Sequence, residues 1–246
     1  MKKLLMLIWE ESMLLQVKNI DVSYDEFQVI WDVSISIDKG EMVALLGPNG
    51  SGKSTLLNSI SNLIQPKNGE VLFNNEKIHL SPTYTRTKIG ISHVLERRRV
   101  FPFLTVKQNL LLGAWHGEAK TQREKTLDEI YIIFPILADR SNQLAHTMSG
   151  GEQQMLAIAR GLMGIPKLLM VDEPFLGLSP KMIEKIKEIF NAIVSKGIAI
   201  LFVEQNVKLA LNMADRGYIL ESGHLVIEGK SDYLLSSEKL KKVFLG

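Results

Sequence analysis

The sequence predicts an α/β fold with a mainly parallel core sheet. Continuous apolar runs at 167–171 and 198–203 have the length of strands that are buried on both faces. Between them, a helix is expected from Ser179, the cap, and Pro180, the first helical residue, with its apolar side chains on one face. Strands that alternate with helices in this way form parallel sheets covered by helices.

The first hundred residues are rich in short strand patterns. Alternating or branched apolar residues predict strands, and a helix is expected between the third and fourth of them. The expected strands are 14–20, 33–37, 42–46, 71–73 and 89–94, and the expected helix is 53–63.

The middle of the chain is predicted to be helical. Thr105 with Gln108, and Ser149 with Glu152, have the spacing of capping boxes that open helices, and 118–134 is polar with spaced apolar residues. The predicted division is a poorly ordered extension at 1–12, a core made of 13–94 and 166–246, and an inserted helical subdomain at 95–165.

Composition narrows the class of protein. The chain has 246 residues, of which 46% are apolar, and a formal net charge of +2. This predicts a folded chain and argues against a dedicated nucleic-acid-binding domain, which carries a stronger basic excess. The absence of cysteine excludes disulfides and cysteine-ligated metals.

The first twelve residues resemble the start of a signal peptide, with Lys2 and Lys3 before an apolar run. The run ends at Glu10, which makes it too short, and no small-residue cleavage site follows. We expect either a frayed extension or a true start at Met13. No stretch reaches about 18 uncharged apolar residues, so a role at a membrane would depend on a partner.

The segment 47–54 has the spacing of a phosphate loop, with a predicted strand before it and a helix after it. Backbone N–H groups and the helix start of such a loop bind phosphate oxygens. Lys53 is expected to reach the β- and γ-phosphates, and the Ser54 hydroxyl to bind Mg²⁺. The alternative is a glycine-rich turn that binds nothing. The residues expected to contact the nucleotide are Gly47, Pro48, Asn49, Gly50, Ser51, Gly52, Lys53, Ser54 and Thr55.

The apolar strand at 168–171 ends in two carboxylates, Asp172 and Glu173. Buried strands often end in charged residues, so the pair alone is a weak signal. Beside a phosphate loop, Asp172 is expected to hold Mg²⁺ and Glu173 to orient and deprotonate the attacking water.

The string Ser149 to Gln153 is a glycine-rich helix start, which is a second anion-binding terminus. An ordinary capped helix is the alternative explanation, because Ser-x-x-Glu is a common cap. Its position just before the Asp172 strand resembles that of the signature of ABC proteins. A phosphate loop alone does not separate kinases, GTPases and ABC proteins.

From about Met13 onward the chain resembles ABC ATP-binding subunits, and more narrowly the LivF group of branched-chain amino-acid importers. The resemblance implies a P-loop NTPase fold of the ABC ATPase type, with an antiparallel β part at the N-terminus. The narrow resemblance lies in 96–101 (ERRRVF), 147–158 (TMSGGEQQMLAI), 172–178 (DEPFLGL), 203–206 (VEQN), 214–220 (ADRGYIL) and 244–246 (FLG).

The resemblance implies a head-to-tail dimer with ATP between one subunit's phosphate loop and the other's signature. Tyr24 matches the aromatic that stacks on adenine, although it could simply pack at a strand edge. The signature residues, which would act on the partner's nucleotide, are Ser149, Gly150, Gly151, Glu152 and Gln153.

Several positions depart from the broader ABC pattern. Glu96 stands where most members have glutamine, and it is expected to bind Mg²⁺ or water. Gln205 replaces a histidine and is expected to hydrogen-bond the γ-phosphate and water. Ser179 replaces an aspartate. Arg97 departs from the usual glycine of the LivF-like group, and it opens a basic run that either is solvated or contacts a partner.

The function expected from the resemblance is the ATP-hydrolysing motor of an importer for branched-chain amino acids or similar small polar solutes. Its partners would be a second ATP-binding subunit, two transmembrane permeases and, indirectly, a solute-binding protein, at the cytoplasmic face of the cell membrane. The second ATP-binding subunit would be a sister chain or a second copy. Urea or short-amide import, a soluble ABC ATPase and an ATP-gated subunit that barely hydrolyses are the alternatives.

Overall fold

The computed structural model describes residues 13–237 and Leu240. The extension expected at 1–12, and the last string of the narrow resemblance at 244–246, lie outside the described residues. The strands are β1 (Met13–Tyr24), β2 (Phe27–Asp38), β3 (Met42–Leu46), β4 (Asn68–Phe73), β5 (Glu76–Lys77), β6 (Ile91–Val94), β7 (Leu168–Asp172), β8 (Ala199–Glu204), β9 (Arg216–Glu221) and β10 (His224–Lys230).

Helices alternate with the later strands. They are α1 (Lys53–Ile60), α2 (Thr85–Ile89), α3 (Val106–Gly113), α4 (Gly117–Thr121), α5 (Arg123–Ile133), α6 (Pro135–Asp139), α7 (Gly150–Leu162), α8 (Pro180–Ser195), α9 (Val207–Leu211) and α10 (Ser231–Ser236), with a 3₁₀ turn at Ala145–Thr147.

The chain forms two compact units, of which the first runs up to Thr83 and resumes at Leu201. This unit contains an antiparallel sheet of order β2-β1-β4-β5. It also contains β3 and β9, which pair in parallel, and β10, which pairs antiparallel to β9. The five residues of β3 are all buried and lead directly into the phosphate loop.

The second unit runs from Tyr84 to Ile200. Its strands β6 and β7 pair in parallel, with Ile91 opposite Leu168 and Val94 opposite Val171. Every residue of β7 is buried. Strand β8 begins in this unit and ends in the first. The parallel pairs and the separate antiparallel sheet confirm the predicted fold class.

Two expected elements differ from the observed ones for reasons of backbone geometry. The single helix expected at 118–134 is broken at Gln122, whose backbone leaves the helical region. It ends at Phe134, whose φ of −124° and ψ of 69° lie outside that region, in keeping with the proline that follows at 135. Strand β2 is far longer than the expected strand at 33–37. The sequence pattern hides its first half because Asp32, which has a left-handed backbone, interrupts the alternation of side chains between the two faces. Asp21 accepts a hydrogen bond from the Asp32 N–H (2.9 Å) at this bulge.

Candidate functional site

The phosphate loop lies between the buried strand β3 and helix α1. Gly47 has φ of 154°, and a Cβ there would lie 2.2 Å from the carbonyl oxygen of Leu220, so only glycine allows this backbone approach. Helix α1 has no acidic residue in its first turn, which leaves the positive end of its dipole open to an anion.

Lys53 lies inside this loop with 4% of its surface exposed. Its Nζ atom donates to the carbonyl oxygens of Gly47 and Pro48, each at 2.9 Å. Ser54 is half-buried and Thr55 is buried at the start of the same helix. An ammonium, a hydroxyl and the backbone of a glycine-rich loop therefore lie together at one helix terminus, which is an arrangement that suits the binding of phosphate.

A turn from the far end of the chain supports the phosphate loop. The Gly223 N–H donates to the carbonyl of Ser51, and the Trp31 N–H donates to the carbonyl of Gly223, both at 3.0 Å. Gly223 has φ of 82°, and a Cβ there would lie 2.1 Å from the Val29 carbonyl oxygen. Ser222 and Gly223 are residue types that favour a turn, but the sequence carries no sign that this turn supports the phosphate loop.

Tyr24 and Thr55, both expected to contact the nucleotide, lie side by side. Their hydroxyl oxygens are 3.4 Å apart, and 46% of the Tyr24 surface is exposed at the end of β1. The ring is therefore available for stacking against a ligand.

Gln205 follows β8 and is exposed. Its backbone N–H, together with that of Asn206, donates to the carboxylate of Glu204, which is 7% exposed. Asn206 in turn caps helix α9 by accepting from the Leu209 N–H (3.0 Å). Sequence reasoning missed Glu204, whose signal was a carboxylate within an otherwise apolar strand.

The acidic pair of the second unit stands at the end of β7. Asp172 is 5% exposed, whereas Glu173 is half-buried and has φ of 49°. A left-handed backbone costs a non-glycine residue about 1–3 kcal/mol, and such residues cluster at active sites. The strain and the position at a strand end favour a chemical role for Glu173.

Glu96 follows β6 in the same unit. Its side chain is partly exposed and its Oε1 atom lies 3.4 Å from Nε of the exposed Arg97. Arg97, Arg98 and Arg99 have φ of 62°, 66° and 46°. The basic run is therefore a tightly curved segment of backbone, in which Arg97 and Arg99 are exposed and Arg98 is partly buried.

Ser149 begins helix α7 with the predicted capping box. Its Oγ accepts from the Glu152 N–H (3.4 Å), and the Glu152 carboxylate accepts from the Ser149 N–H (2.9 Å). Glu152 also pairs with Arg140 at 3.0 Å. The side-chain amide of Gln153 donates back to the carbonyls of Ala145 and Met148.

Gly150 and Gly151 complete the signature, and each is covered by a side chain. A Cβ at Gly150 would lie 2.8 Å from a guanidinium nitrogen of Arg98. A Cβ at Gly151 would lie 2.6 Å from the Met182 side chain. Sequence reasoning named Arg98 only as part of a basic run and did not connect it with the signature.

A model of the ABC transporter family matches residues 30–176. The chain belongs to the ABC transporter family. This ABC protein is 41% identical over 233 residues to the high-affinity branched-chain amino acid transport ATP-binding protein BraG of Pseudomonas aeruginosa, covering 95% of this chain and 100% of BraG. It is 38% identical to a probable branched-chain amino acid transport ATP-binding protein LivF of Archaeoglobus fulgidus, covering 95% and 99%.

More distant relatives include the lipopolysaccharide export system ATP-binding protein LptB of Haemophilus influenzae, at 33% identity over 95% of this chain and 97% of LptB. A solved nucleotide-free ATP-binding cassette from an ABC transporter superposes with a TM-score of 0.83 at 27% identity, covering 95% and 99%. A dimeric cassette bound to ADP and phosphate in a post-hydrolysis state superposes with a TM-score of 0.77 at 29% identity, covering 88% of this chain and 98% of that cassette.

The ABC protein described here binds and hydrolyses ATP. No helix within residues 13–237 combines the length and apolar character needed to cross a bilayer.

Proposed function

We propose that this ABC protein is the ATP-hydrolysing motor subunit of an importer for branched-chain amino acids or similar small polar solutes. The observation that carries the proposal is the 41% identity to BraG over the full length of that protein. Identity to the lipopolysaccharide export protein LptB is lower, at 33%, and this difference favours a function in import over one in export. Import of urea or short amides is the alternative, because ATP subunits of that class look similar.

In the first unit, the phosphate loop would bind the triphosphate. Lys53 would exchange its contacts with the carbonyls of Gly47 and Pro48 for the β- and γ-phosphates. Tyr24 would stack on adenine, and the Gln205 amide would hydrogen-bond the γ-phosphate or the attacking water.

In the second unit, Glu173 would orient the attacking water and accept its proton. Mg²⁺ would neutralise charge on the phosphates. The carboxylates of Asp172 and Glu96 in this unit, and the Ser54 hydroxyl of the first unit, are each an oxygen donor of the class that Mg²⁺ prefers. Asp172 is nearly buried, and a buried carboxylate is more favourable beside a cation.

The signature at 149–153 would act on the nucleotide of a second ATP-binding subunit. A solved relative is a dimer in its post-hydrolysis state, which supports such a pairing, and we favour a sister chain over a second copy. Two transmembrane permeases, and indirectly a solute-binding protein, would complete the transporter, with this chain at the cytoplasmic face of the membrane. The helical subdomain would comprise 95–165.

Uptake of radiolabelled leucine and of urea tests the proposed cargo. Cells lacking this gene would carry either the wild-type chain or Lys53→Ala. We expect the wild type to restore leucine uptake and Lys53→Ala to leave it at background, while Lys120→Ala, at an exposed position on α4, behaves as the wild type. Leucine uptake that is independent of this gene, with urea uptake lost, would assign the subunit to the alternative class of importer.

A further inference from the structure

Asn109 is a fully buried amide on helix α3, with 0% of its surface exposed. Its Oδ1 accepts from the Phe101 N–H at 2.9 Å, and its Nδ2 donates to the Phe101 carbonyl at 3.0 Å. The same Nδ2 lies 3.3 Å from the carbonyl oxygen of Leu104 and 3.1 Å from that of Thr105. One side chain therefore bonds backbone groups at both ends of the turn 101–105.

Arg160 reaches the same turn from helix α7, the helix that begins at the signature. Its Nη2 donates to the carbonyl of Arg99 at 2.6 Å, and its Nη1 lies 3.5 Å from Oδ1 of Asn109. The guanidinium carbon lies 5.2 Å from the centre of the Phe101 ring. Burial lowers the pKa of Arg160, and the carbonyl and the ring offset part of the cost of burying the charge.

Helices α3 and α7 approach each other closely beside these residues. A Cβ at Gly113, the last residue of α3, would lie 2.1 Å from the carbonyl oxygen of Arg160. Backbones in such contact do not slide past each other without disturbing the packing. Helix α3, helix α7 and the turn between β6 and α3 are therefore fixed to one another.

The same segment meets helix α7 a second time, at its first turn. The guanidinium of Arg98 covers Gly150, next to the cap Ser149. The backbone of Arg99 is held by Arg160, ten residues farther along the helix and about 15 Å away by helical rise. The segment from Glu96 to Phe101 therefore contacts helix α7 at two places, Gly150 near its start and Arg160 near its end.

We propose that Asn109, acting with Arg160, is a positioning residue for ATP hydrolysis that fixes the segment 96–101 to the signature helix. The proposal rests on the functions proposed above for Glu96 and the signature. Both groups are presented by one rigid assembly, so a shift of the turn misplaces Glu96 and the helix start together. A misplacement of about 1 Å at a catalytic group can cost 100-fold in rate.

Steady-state ATP hydrolysis by the complex purified from native cells through a tag on this chain tests the proposal. Asn109→Asp keeps the size and the acceptor but removes the donor to three carbonyls, and Arg160→Lys keeps the charge but loses the planar fork. We expect kcat to fall about 10- to 100-fold in each variant, while the Kd for ATP changes by less than about twofold. Residues that act as a unit are not additive, so the double variant should lose little more than the worse single variant.

The controls are Asn191→Asp, an exposed position on α8 with the same change of charge, and Arg123→Lys, exposed on α5; both are expected to retain the wild-type kcat. If the two residues had only a structural role, kcat would fall only in proportion to the folded fraction measured by circular dichroism. Losses of kcat that add in the double variant would also indicate a structural role. A wild-type kcat in folded Arg160→Lys and Asn109→Asp overturns the proposal. Glu96→Gln, measured alongside, shows separately whether the function proposed for Glu96 fails.

Discussion

Arg97 occupies a backbone conformation that suits glycine. Its φ of 62° lies in the left-handed region, where side chains are disfavoured by about 1–2 kcal/mol. The resemblance to the LivF-like group implies a glycine at this position, and the left-handed backbone would explain that preference. The arginine side chain is exposed and pairs with its partly exposed neighbour Glu96, and such a contact at the surface adds little stability in water.

Arg97→Gly is therefore expected to stabilise the protein, or at least to cost nothing, with a gain of up to about 1 kcal/mol in the free energy of unfolding. Urea denaturation of the purified chain measures it. Lys125→Gly, an exposed interior position of helix α5, is the opposite control and should cost about 1 kcal/mol. Equal destabilisation by both glycines would contradict the assignment of strain to Arg97.

His93 makes the folded protein sensitive to acid. Burial lowers its pKa to about 4, below the value of about 6.5 in an unfolded chain. Between those two values only the unfolded state takes up the proton, so stability present near neutral pH is lost as the pH falls, by at most about 1.4 kcal/mol per pH unit for this group.

His93→Gln should flatten the dependence of the unfolding free energy on pH between 6.5 and 4.5, because glutamine takes up no proton there. Urea denaturation at both pH values measures the slope. His224→Gln, at the exposed first residue of β10, is the matched control and should keep the wild-type slope. An unchanged slope in His93→Gln would show that another group causes the loss.

At the residue scale, the sequence revealed the local motifs but not the tertiary contacts that support them. The phosphate loop and the capped helix start at Ser149 are contiguous strings, so their spacing located them, and the resemblance to ABC proteins assigned the signature. Glu204 and Asn109 act through backbone groups that the fold brings to them, and no local pattern marks such partners. Arg98 was visible as a charge, but its contact with Gly150 depends on how helix α7 packs.

The turn between β9 and β10 is the element that supports the phosphate loop. Gly223→Ala and Gly197→Ala form a matched pair, because both glycines have φ of 82°, yet a Cβ at Gly223 would clash with Val29 while Gly197 faces open space. Gly197→Ala should therefore cost only the conformational term of about 1–2 kcal/mol. Gly223→Ala should cost more and should also weaken ATP binding, since it displaces the hydrogen bond to Ser51.

Thermal denaturation and equilibrium binding of ATP separate the two effects. Wild-type affinity in Gly223→Ala, with stability lowered no more than in Gly197→Ala, would show that the turn does not support the loop.

Elements with strong local signals were predicted within a residue or two. The capping boxes of Thr105 and Ser149 opened helices where expected, and β3 spans the expected residues. The break at Gln122 was not predictable from periodicity, because the apolar spacing continues across it. The bulge at Asp32 depends on a partner eleven residues away on the neighbouring strand, Asp21.

At the scale of the whole molecule, the proposed catalytic groups are divided between two compact units. The phosphate loop belongs to the first unit, and the acidic pair and the signature belong to the second. The fold class followed from the alternation of strands and helices, and the solved ATP-binding cassettes confirm it. These elements do not determine the cargo, since the ligand proposed for them is ATP and not the solute.

The central claim is that the phosphate loop binds ATP and that Glu173 directs the water that cleaves it. Single-turnover hydrolysis of ATP by the complex carrying Glu173→Gln tests this most directly, with Glu188→Gln on the exposed face of α8 as the control. We expect Glu173→Gln to bind ATP with near-wild-type affinity but to cleave it about 10²- to 10⁴-fold more slowly, since glutamine accepts no proton. Cleavage at the wild-type rate in Glu173→Gln would contradict the account.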